Sequence, residues 1–212
     1  MNLDLYVITD EEIAGGRSHA EIARQAVFGG AGIIQLRDKN RSCAELTTIG
    51  REIAVITRKA GAIFIINDRL DVAMACDADG VHLGQDDLRV STARQLAPPG
   101  FIIGVSVGTV EDAVEAEREG ADYVALSPVF STASKNDAGP GHGLDRLRDI
   151  RQSVSLPLVA IGGINRQNVR DVIVAGADGI AVISAVVASR DITAAARQLR
   201  ELVQETKRSV GR

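Results

Sequence analysis

The chain has 212 residues, 45% of them hydrophobic, which is enough to fill the core of one large α/β domain. A net charge of −4, an aromatic content of 3% and the lack of tryptophan exclude the basic, stacking-rich surface of a nucleic-acid binder. The two cysteines, Cys43 and Cys76, fall in segments of helical pattern, with no CxxC pairing and no histidine at metal-ligand spacing, so they read as core or surface thiols.

The opening residues, MNLDLYVITD, read directly as a strand and lack the basic and apolar pattern of a secretory leader. The longest apolar run, GIAVISAVVA, falls short of the roughly 20 residues that span a bilayer. These features predict a cytoplasmic protein with no integral membrane segment.

Taken in chain order, the apolar runs LYVIT, GIIQLR, AIFIIN, GVHLG, FIIGVS, YVALSPV, LVAIGG and GIAVIS predict eight strands. Between them lie segments such as SHAEIARQAVF, AELTTIGREIAVITRKA, TVEDAVEAERE and NRQNVRDVIVA, whose apolar residues recur at three and four, the helical period. A local repeat, GGAGIIQL, CDADGVHL, GADYVAL and GADGIAV, sets Gly or a small polar residue between helix and strand, where a left-handed helix terminator belongs. The strands are apolar along most of their length, as in parallel sheets buried on both faces. The pattern predicts a single (β/α)8 TIM barrel over residues 1–212, with about 205–212 as a frayed tail. An open doubly wound sheet fits less well, because VITDEEIAGG after the first strand is not a GxGxxG turn.

In such barrels chemistry sits at the C-terminal ends of the strands. Past the second strand, alternation sends Gln35, Arg37 and Lys39 to one side, where they could converge on an anion. Past the third and fourth, Asp68 and either Asp86 or Asp87 are close enough in prospect to share Mg²⁺, although an N-cap for Asp68 and a turn or cap for Asp86 or Asp87 fit equally well. His82 reads as a packed barrel residue, and Ser106 as a hydrogen-bonding group at the mouth. Gly162 and Gly163 after the seventh strand suit either a phosphate corner or a tight turn. The 130–143 stretch is long for a compact domain, and a loop of that length is usually functional or disordered.

The ordered set QLRDK (35–39), NDR (67–69), HLGQDDL (82–88), GVS (104–106), TASK (132–135), AIGGI (160–164) and VIS (182–184) closely resembles the thiamine phosphate synthase family. The resemblance implies a transferase that joins a hydroxymethylpyrimidine diphosphate to a thiazole phosphate and releases pyrophosphate, with Mg²⁺ as cofactor. It further implies that Gln35, Arg37, Lys39 and Asn67 hold the pyrimidine diphosphate, that Asp68 and Asp87 hold Mg²⁺, and that Ser106 contacts the pyrimidine. Thr132 and Ser134, with Gly163, Ile183 and Ser184, would bind the thiazole phosphate, and Lys135 would meet the pyrophosphate. Arg37, Lys39, Ser106 and Lys135 are the implied catalytic groups. The chain departs from a common family pattern at Val107 and Gly108, where many members have Thr-His, and at Ser131, where many have Pro. The partners expected are those two small molecules, and the sequence leaves a homo-oligomer open.

Overall fold

A computed structural model describes residues 1–132, 134 and 140–212. Eight parallel strands, β1 (Leu5–Thr9), β2 (Ile33–Leu36), β3 (Ile63–Asn67), β4 (Gly80–Leu83), β5 (Ile102–Val107), β6 (Tyr123–Leu126), β7 (Leu158–Ile161) and β8 (Gly179–Val182), close into a barrel in sequence order, β8 pairing with β1. The helices between them are α1 (His19–Phe28), α2 (Cys43–Ala60), α3 (Leu70–Ala75), α4 (Val90–Leu96), α5 (Val110–Glu119), α6 (Gly143–Ser153) and α7 (Val169–Val174). A short α8 (Ser184–Val187) and the long α9 (Ile192–Ser209) follow β8. The (β/α)8 TIM barrel expected from the sequence is therefore the architecture observed.

Several strand runs are shorter than their sequence pattern. Past β6 and β8, Ser127, Pro128, Ile183 and Ser184 leave the sheet and line the mouth. The tail expected to fray from Glu205 is instead the end of α9, which runs to Ser209. Lys207 Nζ lies 2.6 Å from Asp4 Oδ1, Arg170 pairs with Glu205 at 3.0 Å, and Arg212 pairs with Asp178, so the segment is tied to three parts of the barrel.

The repeated Gly-Ala-Asp signature has a physical account. Its first position is left-handed each time, at Gly30 (φ 95°), Asp77 (φ 54°), Gly120 (φ 91°) and Gly176 (φ 113°), which stops the helix. The alanine N–H then reaches back to the helix, as in Ala121 N to Ala116 O at 3.0 Å and Ala177 N to Val172 O at 3.3 Å. The aspartates close the motif: Asp79, Asp122 and Asp178 accept from the N–H of Phe64, Ile103 and Leu158 at 2.7, 2.7 and 2.8 Å. Each carboxylate thereby clamps its own strand to the preceding one at the N-terminal rim.

Alternation sorts the strands into two cores. Outward residues such as Val7, Ile34, Phe64, Val81 and Ile180 are buried under the helices. Inward residues Ile33, Ile65, Val159 and Ala181 fill the lower barrel with Tyr6 and Tyr123. The Tyr123 ring has room only because its register partner is Gly104. A Cβ there would stand 2.0 Å from the ring's Cζ. Gly104→Ala is expected to destabilise the barrel by about 2 kcal/mol, the usual scale of overpacking. Urea unfolding measures this, and an unchanged midpoint would refute the packing argument.

Candidate active site

Above the apolar plug, polar side chains from five strands, all buried except the half-buried Ser106, form one connected layer. Gln35 Nε2 donates to the Tyr6 hydroxyl at 2.6 Å, and the Tyr6 and Tyr123 hydroxyls lie 3.2 Å apart. His82 Nδ1 is 2.9 Å from the Tyr123 hydroxyl, and its Nε2 is 2.9 Å from Ser106 Oγ. The His82 and Tyr123 rings also stack, with centroids 5.6 Å apart. Burial pushes both phenols well above their ordinary pKa, so they act as neutral hydroxyls. His82 is thus a packed barrel residue, as its strand position suggests, and it also fixes the Ser106 hydroxyl. Tyr6 and Tyr123 carried no signal in the sequence beyond being the only tyrosines in the chain.

Two cavities open on this floor at the C-terminal ends of the strands, and both are bordered by Ser127 and Pro128. The first, of about 540 Å³, is lined by Arg37, Lys39, Asn67, Asp68, Asp87 and Ser106, with His82 below and Pro140 to His142 along one wall. Gln35 is 2% exposed and lies a layer deeper than Arg37 and Lys39, joined to the site through Tyr6. The second cavity, of about 600 Å³, is lined by Thr132, Ser134, Gly162, Gly163, Ile183 and Ser184, with Ile161 and Ala181 at its base.

Hydroxyl groups converge in the second cavity. Ser134 Oγ lies 3.0 Å from Ser184 Oγ, and Ser134 N donates to Thr132 Oγ1 at 3.2 Å. Both turn glycines are required on steric grounds: a Cβ on Gly162 would meet Pro128 Cβ at 2.4 Å, and one on Gly163 would meet Ser131 O at 2.7 Å. The β6 loop thus rests directly on the β7 turn, and its far end is anchored to its own beginning by His142 N to Pro128 O and Gly143 N to Val129 O, each 2.9 Å. Lys135, and with it residues 136–139 of the loop, lies outside the described residues.

The first cavity holds an electrostatic conflict. Asp68 has φ 62°, unusual for a residue with a side chain, and its N–H donates to His82 O at 2.8 Å. The helix cap falls instead on Arg69, so Asp68 is not an N-cap. Asp87 does serve a turn, accepting from Gly84 N at 2.6 Å through Oδ2. Asp86 is exposed and also borders the cavity. Burial first, then the adjoining Asp87 carboxyl, raises Asp68 from 3.8 to about 6, against a smaller opposing pull from Lys39 and Arg37. Two facing carboxyl groups whose mutual repulsion raises one of them are a donor set that a divalent cation satisfies, and such all-oxygen ligation suits Mg²⁺.

A second group of candidate ligands, Glu11, His19 and Asp38, has donor atoms within 4.8 Å of one another. The Arg41 guanidinium already bonds both of its carboxylates, at 2.6 Å to Glu11 Oε2 and 3.0 Å to Asp38 Oδ2. The positive charge a cation would bring is therefore in place. Cys43 is exposed, and Cys76 is buried, its thiol pushed up to about 11 by desolvation. Neither thiol lines the two cavities.

A closed barrel with paired carboxylates and two cations in one cavity, and clustered hydroxyls over glycine backbone in the next, has the form of an enzyme that acts on small molecules. The family model described as thiamine monophosphate synthase matches residues 5–186. The chain is 65% identical over 207 residues to the thiamine-phosphate synthase of Methanoregula boonei, covering 98% of this chain and 96% of that one. It is 61% identical to that of Methanoculleus marisnigri, covering 98% of each. The thiamine phosphate pyrophosphorylase structure from Pyrococcus furiosus superposes with a TM-score of 0.90 at 46% identity, covering 97% of both chains. The chain belongs to the thiamine monophosphate synthase family, and it is a transferase-type enzyme. Among the described residues, no helix is long and apolar enough to cross a membrane.

The conflict at Asp68 sets a sign for pH dependence. Its folded pKa lies above the ordinary value, so between about pH 4 and pH 6 the folded chain holds a proton that the unfolded chain has released. Stability falls as pH rises through that window, and the loss is complete above it. Asp87→Asn keeps an oxygen for Gly84 N and removes the repulsion. In metal-free protein this variant is expected to be more stable than the parent at pH 7, the difference closing by pH 4. Thermal unfolding at the two pH values tests this, and a variant less stable at pH 7 would contradict it.

Proposed function

We propose that residues 1–212 act as one cytoplasmic catalytic unit, a thiamine phosphate synthase. The substrates are 4-amino-2-methyl-5-hydroxymethylpyrimidine diphosphate and a thiazole phosphate, and the products are thiamine phosphate and pyrophosphate. The observation that carries this reading is the pair of cavities meeting at Ser127 and Pro128, one with cations and paired carboxylates, the other with hydroxyls and glycine backbone. Two phosphorylated reactants held side by side need that division.

Arg37, Lys39 and Asn67 take the diphosphate oxygens, and Ser106, fixed by His82, orients the pyrimidine. Gln35 supports that floor through Tyr6. Asp68 and Asp87 would hold Mg²⁺, whose charge would neutralise the leaving diphosphate. The C–O bond to pyrophosphate breaks first, and the electron pair leaves with the pyrophosphate. The amino-substituted pyrimidine stabilises the resulting cation, and the thiazole nitrogen then forms the new C–N bond. Thr132, Ser134 and Ser184 hydroxyls, with backbone at Gly163 and Ile183, seat the thiazole phosphate so that its nitrogen faces that carbon. Lys135 is assigned to the departing pyrophosphate, where a little-screened cation counts most.

Purified protein with both substrates and Mg²⁺ is expected to form thiamine phosphate and pyrophosphate in equal amounts, and to stop in chelator. Asp87→Ala is expected to lower kcat by at least about 100-fold while still unfolding cooperatively, because one partly exposed loop carboxylate adds little packing. Folded parent enzyme that yields no thiamine phosphate from these substrates would refute the proposal.

A further inference from the structure

We infer that Asp38 is a positioning residue, held on the outer side of the β2 extension by His19 and Arg41 so that Arg37 and Lys39 are turned into the mouth. The inference rests on the proposed assignment of Arg37 and Lys39 to a diphosphate. Arg37 and Lys39 line the first cavity and Asp38 does not. Asp38 stands between them in the turn that follows β2, so fixing it away from the cavity constrains the backbone that carries both flanking cations.

The fixing is done from several elements. Asp38 Oδ2 lies 3.3 Å from His19 Nε2 and 3.0 Å from Arg41 Nε, and Oδ1 accepts from Asn40 N at 2.8 Å. His19 is 1% exposed, and its Nδ1 lies 2.7 Å from Thr9 Oγ1 at the end of β1. Glu11 completes the group, accepting from His19 N at 3.1 Å and from Arg41 at 2.6 Å. Burial alone would raise the Asp38 carboxyl, but the bonds from Asn40, His19 and Arg41 outweigh it and keep the group ionised. A carboxylate beside a diphosphate site repels its ligand by charge alone. The geometry offsets that cost, because this carboxylate ties the short β2–α2 connection to α1 through His19, and its partner Arg41 reaches on to Glu11 in the β1–α1 connection.

The two effects predict opposite signs. If Asp38 acts only through charge, removing it tightens anion binding; if it positions Arg37 and Lys39, removing it loosens binding. Inorganic pyrophosphate with Mg²⁺ is titrated calorimetrically into parent, Asp38→Ala and Asp38→Asn, and KM is measured for each substrate. Asp38→Ala is expected to weaken pyrophosphate about tenfold and to raise KM for the pyrimidine diphosphate similarly, since small misplacements of a binding group are expensive. KM for the thiazole phosphate should stay within about twofold, because that cavity lies on the far side of Ser127 and Pro128. Asp38→Asn keeps the shape and one acceptor, so it folds even if the alanine variant does not, and it should weaken pyrophosphate about threefold. Unchanged or tighter pyrophosphate binding in the folded variants, or an equal rise in both KM values, overturns the inference. Failure of the parent to make thiamine phosphate would instead defeat the proposed function, while the pyrophosphate titration would still decide the role of Asp38.

Discussion

The structure turns on a connected set of buried hydrogen bonds across the barrel, running from Gln35 through Tyr6, Tyr123 and His82 to Ser106. A buried polar group left without a partner costs about 1–3 kcal/mol, so each of these side chains depends on the next being in place. The layer is possible because Gly104 leaves the Tyr123 ring its space and because burial keeps both phenols protonated. Below it the barrel is an apolar plug, and above it the chain can present charge. The layer is the rigid boundary between those two regimes, and the site inherits its precision from it.

Stability and function are divided between the two ends of the strands. At the N-terminal rim, Asp79, Asp122 and Asp178 receive backbone N–H groups of a neighbouring strand, and Arg94 and Arg151 reinforce two of them. Those carboxylates stitch the barrel closed. At the other rim the loops from β6 and β7 pack on one another through glycines, and Thr132 and Ser134 share one cavity with Ser184, which follows β8.

The barrel was legible in the sequence because its signals are local: eight apolar runs, a helical period between them, and a left-handed stop before several strands. The candidate site was legible only as residues at strand ends, and the ordered motifs assigned them roles. What the sequence hid is long-range pairing. Tyr6 and Tyr123 lie 117 residues apart, and no spacing rule connects them. Asp38 looks like another loop charge until His19 and Arg41 are seen on it, and the aspartate of the Gly-Ala-Asp repeat hides its bond to another strand behind the obvious glycine. The tail misled for the same reason: its polar composition suggests fraying, whereas Lys207 and Arg212 have partners at Asp4 and Asp178.

Three of the electrostatic situations that aspartate meets in this barrel contrast sharply with one another. At the N-terminal rim the carboxylate is matched by backbone N–H groups. At Asp38 it is matched by histidine, arginine and a turn amide, which hold it below the ordinary carboxylate range. At Asp68 burial and a facing carboxyl outweigh the pull of Lys39 and Arg37, and the group is raised instead. A fold that satisfies Asp79, Asp122, Asp178 and Asp38 in these ways gains nothing in stability from leaving Asp68 against Asp87, in a left-handed conformation that side chains avoid. In the proposed function a divalent cation and a diphosphate would complete this pair, and the repulsion between the two carboxyl groups would then be turned into affinity.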